Sequence, residues 1–353
     1  MSKYVFVLDG TGAHHTKLMG FLNQNLNSSD FLFLFCGPCC DPKKIEGTDN
    51  AHIIQSFFRA PSNVQKEFSE ARKIVVVGFF NVELTFFLLF HKTLRKKTAI
   101  ALHGGEFYGQ RGKTSLKRKA FYALRKMVIK NVEACCTFTT DDYRVAKQFY
   151  KLPDRHYLVE LPWHFDVLLE QAMEPKPTSP FVVMVGHSAL KEDHTLEVLQ
   201  QLARFRQDEI KIIAPLSYGE DEYRREVLDL GARLFGEKFT PLLEWIEPDV
   251  YQKLLQSVSV FVIGTDRQAG TFNINLLLRL GCKVYIRKDT TMWTFFSQEC
   301  NCELFDISSI QNLDFAEFVD FKEGQRVHNY TNLKERLNEA SCLNSWKRVL
   351  EIS

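Results

Sequence analysis

The chain alternates short apolar runs with helix-like stretches, and it does so twice, once on each side of a proline-rich segment. In the first half the runs are Tyr4–Leu8, Phe31–Phe35, Ile74–Val77, Ala99–Leu102, Cys135–Phe138 and Tyr157–Glu160. Between them lie helical patterns such as Lys17–Leu26, Glu83–Phe90 and Asp141–Tyr150. Strands that alternate with helices read as βαβ units on a parallel sheet. Glu174-Pro-Lys-Pro-Thr-Ser-Pro180 follows, a stiff extended connection with three prolines in seven residues. The alternation then restarts with runs at Phe181–Val185, Ile210–Ala214, Phe239–Leu243, Val258–Ile263 and Cys282–Ile286. Helices are expected at His194–Arg206, Asp221–Leu234, Asp249–Leu255, Ile274–Leu280 and Met292–Gln298, and a last one over Leu333–Ile352. The pattern predicts two α/β domains, 1–172 and 181–332, joined by a linker at 173–180. The closing helix at 333–352 is left free to pack back on the first. Two such sheets imply a central cleft with ligands at the carboxyl ends of strands.

A length of 353 residues fits two domains, and 45% hydrophobic content gives each a core. The net charge of +2 argues against a dedicated nucleic-acid binder. Nine cysteines without a repeated C-x-x-C pattern read as reduced core thiols of a cytosolic protein, not a zinc site. The opening apolar run stops at Asp9, too short for a secretory leader. Ile74 to His91 is the most apolar stretch, yet Gly78, Asn81 and Glu83 interrupt it. A buried strand followed by a buried helix is expected there, not a membrane span.

Three junctions in the second half resemble phosphate-binding turns. Gly186, His187 and Ser188 follow a strand and precede a helix, so free backbone N–H groups and a helix dipole would face an anion. An ordinary capped βα turn is the plainer reading. Ser217 and Tyr218 sit at the next junction, where Tyr218 would stack on a base or simply pack. Arg267, Gln268 and Gly270 follow the most apolar strand. The guanidinium there would pair with a diphosphate, and Gly270 would let backbone approach it.

In the first half, Gly104, Glu106 and Tyr108 follow a strand, and Glu106 is the candidate general base, against a plain helix-capping acid. His14 and His15 lie in the loop after the first strand. A metal site there would need further ligands that the sequence does not name, so a ligand-lining loop is expected and no metal. Arg111 to Lys130 holds eight basic residues and no acid. Its helix places Leu116, Ala120, Leu124, Met127 and Val128 on one face, with Lys117, Arg118, Lys119, Arg125 and Lys126 elsewhere. Such a basic amphipathic helix suits an anionic membrane surface or a core with a solvated back.

Together these segments resemble glycosyltransferase family 56 over nearly the whole chain. The His14-His15 pair, Asn81, the Gly104-x-Glu106-x-Tyr108 pattern, the basic helix, Pro162 and Asp166 fall in order on its first half. Val185-Gly186-His187-Ser188 with His194, Pro215 with Tyr218, Arg267-Gln268-Ala269-Gly270, Gly281, Trp293 and Trp346 follow in the second. His187, Ser217, Glu106 and the Phe272-Asn273 pair depart from the family pattern.

The resemblance implies an α/β fold of GT-B type, two Rossmann-like domains with parallel sheets facing a central cleft. It implies a bacterial hexosyltransferase, peripheral on the cytosolic face of the inner membrane. This would move a deoxy-amino sugar of the Fuc4NAc type from dTDP to a polyprenyl-diphosphate-linked or lipopolysaccharide-type saccharide, as in enterobacterial common antigen or O-antigen synthesis. Gly186, His187, Ser188, Ser217, Tyr218, Arg267, Gln268, Gly270 and Asn273 would bind the donor. Glu106 would activate the acceptor, with His14, His15, Asn81, Gly104 and Tyr108 around it. No Asp-x-Asp sequence occurs, which fits a metal-independent donor site without a cofactor. A sugar-nucleotide epimerase of similar fold, turning over donor without acceptor, is the rival reading. A non-catalytic nucleotide-sugar-binding protein is another.

Overall fold

A computed structural model describes residues 2–110, 115–162 and 179–352. The chain divides into two compact units, Met1–Trp163 with Glu339–Ser353, and His164–Asn338. Most of the proline-rich linker, along with Arg111 and Asp166, lies outside the described residues.

Among the described residues, the first unit holds seven parallel strands: β1 Tyr4–Asp9, β2 Phe31–Cys36, β3 Ala51–Ile53, β4 Lys73–Val77, β5 Thr98–Ala101, β6 Ala134–Thr137 and β7 Arg155–Leu158. Their order is β3-β2-β1-β4-β5-β6-β7. The chain winds outward from β1 in one direction and then from β4 in the other. The crevice between the ends of β1 and β4 is therefore a topological switch point, where open α/β sheets bind ligands. Val5 and Val7 join Val76 and Ile100 in the core on one face of the sheet. Phe6 on the other face meets Trp346, ring centroids 5.9 Å apart.

Trp346 belongs to the Glu339–Leu350 helix and is fully buried. Its Nε1 donates to the Glu160 carbonyl at 2.7 Å. Lys73, only 2% exposed, points its ammonium at the Val349 carbonyl and pairs with Glu133 and Glu351. The last helix thus completes the first unit. The single helix expected over Leu333–Ile352 is two, Glu323–Arg336 and Glu339–Leu350. The carbonyls of Leu333 and Leu337, at the end of the former, are drawn to the buried Arg279 guanidinium.

The second unit holds β8 Phe181–Val185, β9 Ile210–Pro215, β10 Phe239–Leu242, β11 Val258–Ile263, β12 Lys283–Ile286 and β13 Phe305–Asp306. The order β10-β9-β8-β11-β12-β13 repeats the double winding, with its switch point between β8 and β11. Val182 and Met184 enter the core on one face, Val183 and Val185 that on the other. Burial on both faces is why these strands read as unbroken apolar runs. Two strands escaped the sequence reading, β3 and β13, which have three and two residues.

Candidate functional site

In the second unit, four expected donor-site residues converge. His187, Ser217, Tyr218 and Asn273 line one cavity of about 200 Å3 together with Glu244 and Trp245. They come from the loops after β8, β9 and β10 and from the Thr271–Arg279 helix. Trp245 is 70% exposed, so an indole face is open to a planar ligand. The sequence reading missed Trp245, although an aromatic just past a strand end was there to be noticed. It also missed Tyr251, whose hydroxyl reaches Asn273 Oδ1 at 3.4 Å.

Gly270 opens the Thr271–Arg279 helix with φ +66°, and no side chain caps it. A β-carbon on Gly270 would meet Ile263 at 2.8 Å and His187 at 3.4 Å, so only glycine fits the close approach. The first-turn N–H groups of this nine-residue helix point outward with the positive end of its dipole. Arg267 lies just ahead, its Nε 2.8 Å from Glu192 Oε2. Gln268 is half-buried and accepts from Arg267 through its own carbonyl at 3.5 Å.

The turn at Gly186–Ser188 differs from expectation. Asp193, fully buried, already takes the Ser188 N–H at 2.9 Å and the Ser188 hydroxyl at 2.7 Å. The His187 N–H reaches the same oxygen at 3.4 Å. Its Nδ1 lies 2.9 Å away but out of hydrogen-bond line. The donors assigned to a phosphate are thus spent on the chain's own carboxylate, and Ser188 has no exposed surface. Gly186, at φ +68°, keeps the turn tight, since a β-carbon there would strike Thr195 Oγ1 at 2.7 Å. His194 follows in the left-handed region, φ 51°, unusual for a side chain of its size. It borders a second cavity of about 350 Å3 with Gly264, Arg287 and Asp306, at the ends of β11 to β13.

In the first unit, Glu106 is fully buried. Its Oε1 accepts the Phe79 N–H at 2.9 Å and its Oε2 the His103 N–H at 3.0 Å. Burial pushes its carboxyl above the usual range, against those donors. The residue expected to face an acceptor instead braces two loops. Tyr108 turns inward likewise, its hydroxyl bonded to Asp142 at 3.0 Å. Asn81 caps the Val82–Phe90 helix through the Leu84 N–H, and Gly104, φ +95°, starts the Gly105–Tyr108 turn.

What does reach the β1/β4 switch point is Asp9, which the sequence reading used only as a strand end. It is half-buried, and burial raises its carboxyl above the ordinary value. Three glycines with positive φ, Gly10, Gly37 and Gly78, surround it. A β-carbon on Gly37 would come within 2.6 Å of Asp9 Oδ1, so glycine makes the room. His14, His15 and His103 gather at the same ends of β1 and β5, with ring centroids 3.9 to 5.5 Å apart.

The basic helix, Leu116–Ile129, also rearranges expectation. Lys117, Arg118, Lys119 and Lys126 are exposed. Arg125 is only 3% exposed, stacks 4.4 Å over Phe121 and donates to the Glu106 carbonyl at 3.3 Å. The inward face is Arg125, Val128 and Ile129, whereas Leu116 and Met127 lie open. The neighbouring Val82–Phe90 helix is not wholly buried either: Val82, Phe86 and Phe90 are exposed, and Phe80 precedes them.

Two doubly wound α/β units with ligand-facing strand ends are the architecture of GT-B glycosyltransferases. The fold matches Anabaena HepE in complex with UDP, TM-score 0.73 at 12% identity over 99% of both chains. It also matches the lipopolysaccharide outer core galactosyltransferase WaaB in apo form, TM-score 0.69 at 11% identity over 99% of both. A UDP-forming trehalose-phosphate synthase from Burkholderia xenovorans aligns at TM-score 0.67 and 11% identity over 99% of both. The model of the 4-alpha-L-fucosyltransferase family, glycosyl transferase group 56, matches residues 56–322. This chain belongs to that family and is a hexosyltransferase.

Proposed function

We propose that this enzyme transfers a 4-amino-4,6-dideoxyhexose of the Fuc4NAc type from a dTDP-sugar to a lipid-linked saccharide at the cytosolic face of the inner membrane. The observation that carries the donor half is the uncapped, glycine-started N-terminus of the Thr271–Arg279 helix, which shares the Asn273 cavity with Trp245 and Tyr218. The base stacks on Trp245. The diphosphate lies on the helix N-terminus and draws Arg267 from Glu192, so the leaving charge is neutralised without a metal on the donor. His187 and Gly270 shape the wall. Ser188 acts through Asp193, as a brace of the loop.

The first unit presents the acceptor. Its hydroxyl oxygen attacks the anomeric carbon, the bond from that carbon to the diphosphate breaks, and dTDP leaves. The hydroxyl proton passes to Asp9, the half-buried carboxylate at the switch point, in place of the fully buried Glu106. A lipopolysaccharide-type acceptor agrees with the galactosyltransferase whose fold is similar.

The exposed Phe80, Val82, Phe86 and Phe90, beside Leu116 and Met127 and the basic side chains of the next helix, form an apolar surface rimmed by positive charge. An anionic bilayer carrying the lipid acceptor complements both. No helix among the described residues is long and apolar enough to cross a membrane.

A thermal-shift panel of dTDP, UDP, GDP and CDP tests the donor. At a hundredfold excess over Kd the preferred nucleotide adds about 2.7 kcal/mol of stability. A shift with dTDP that disappears in Arg267→Ala supports the reading. A shift with UDP alone keeps the transferase and replaces the donor.

A further inference from the structure

We propose that His14, His15 and His103 form a binding site for one divalent transition-metal ion of the zinc class, in the first unit. Their imidazole nitrogens lie within 4.8 Å of one another. A tetrahedral ion with bonds of about 2.0–2.1 Å needs them closer by about an ångström, within reach of side-chain rotation.

Two observations point to an ion. First, His15 Nδ1 lies 2.9 Å from the Gly10 carbonyl, which only accepts, so Nδ1 carries the proton. Nε2 then holds a free lone pair. A ring nitrogen anchored to a backbone carbonyl, with its partner nitrogen bare, is how metal-binding imidazoles are oriented.

Second, Nε2 of His15 and Nε2 of His103 are both buried without a hydrogen-bond partner. Two orphaned polar atoms in one place are costly, and a shared ion satisfies both.

The ligands come from two separate segments. His14 and His15 start the Ala13–Asn25 helix after β1, and His103 follows β5. The ion cross-links these two loops beside Asp9, and with three protein ligands it keeps a position open, as sites with an exchangeable ligand do. The cluster lies in the first unit, and the proposed donor-binding residues lie in the second.

The test uses the full-length chain without an affinity tag, stripped of metal, titrated with Zn2+ by calorimetry and with Co2+ by absorption, with no substrate present. One equivalent should bind, and Co2+ should develop the intense visible bands of a four- or five-coordinate site. His14→Gln and His103→Gln should each weaken binding by about tenfold or more, while His52→Gln leaves it unchanged. Circular dichroism and the nucleotide thermal shift verify that each variant is folded. Absence of stoichiometric binding overturns the proposal, as does binding that both cluster variants retain. Neither result touches the transferase reading, which the nucleotide shift tests separately.

Discussion

Glu106 Oε1 receives the backbone N–H of Phe79 at 2.9 Å, and this bond ties the loop after β4 to the loop after β5. The second oxygen holds the His103 N–H in the later loop. The carboxylate therefore satisfies the buried Phe79 donor and the part-buried His103 one. In Glu106→Gln the amide nitrogen opposes one of them. The expected loss is about 1–3 kcal/mol in urea unfolding, with turnover per folded molecule largely kept. Full stability with turnover abolished would return Glu106 to the chemistry.

His156 gives the enzyme an acid sensitivity of its own. Its ring stacks on Tyr143 at 3.7 Å and shares a hydrogen bond of 2.8 Å with Thr137. Burial, aided by the Lys147 charge, pushes it from 6.5 to about 4. The unfolded ring therefore takes up a proton before the folded one does. The resulting stability is whole above pH 6.5 and is lost as the pH falls towards 4. The slope is about 1.4 kcal/mol per pH unit. His156→Gln should flatten the profile by that amount between pH 6 and 5 in urea titrations. Parallel profiles would show that the folded ring titrates normally.

Much of the fold was legible because buried parallel strands have no polar side. Val258–Ile263 and Phe181–Val185 are found where the apolar runs lie. β3 and β13 have too few residues to make a pattern. Site residues were harder, because strand ends place both ligand-facing and bracing polar groups. Ser188 and Glu106 look available in sequence, yet Asp193 and the Phe79 backbone claim them. Residue type also misled at Arg125, whose charge suggests a surface while its ring neighbours cover it.

The basic helix separates attachment from folding. Lys117 and Lys119 are exposed, whereas Arg125 is enclosed. Reversing both lysines to Glu should weaken sedimentation with anionic liposomes by roughly tenfold or more at low salt, at about 1 kcal/mol per basic residue. Stability should move by no more than about 0.5 kcal/mol. Wild-type binding should also fall with added salt. Salt-insensitive binding, unchanged in the double variant, would remove the basic helix from membrane attachment.

Asp9 at the end of β1 is held in a place that costs it stability, since burial disfavours its charge. Asp9→Asn should leave the unfolding midpoint equal or higher. If Asp9 accepts the acceptor proton, kcat should fall by about 10²–10⁴-fold with the dTDP shift intact. A variant that keeps its turnover would exclude this carboxylate as the base.

Trp245 offers its indole to the cavity that Tyr218 and Asn273 share. At 70% exposure it packs little of the core, so its removal should cost the fold almost nothing. Stacking of a base on an aromatic ring is worth about 1–3 kcal/mol. Trp245→Ala should therefore raise the dTDP dissociation constant by roughly ten- to a hundredfold, most of it in KM. Trp245→Phe, which keeps an aromatic face, should recover much of the affinity, while the nucleotide-linked change in tryptophan fluorescence disappears with the indole. Unaltered affinity in the alanine variant would move the base out of this cavity, leaving the one beside His194 and Arg287 as the place to look.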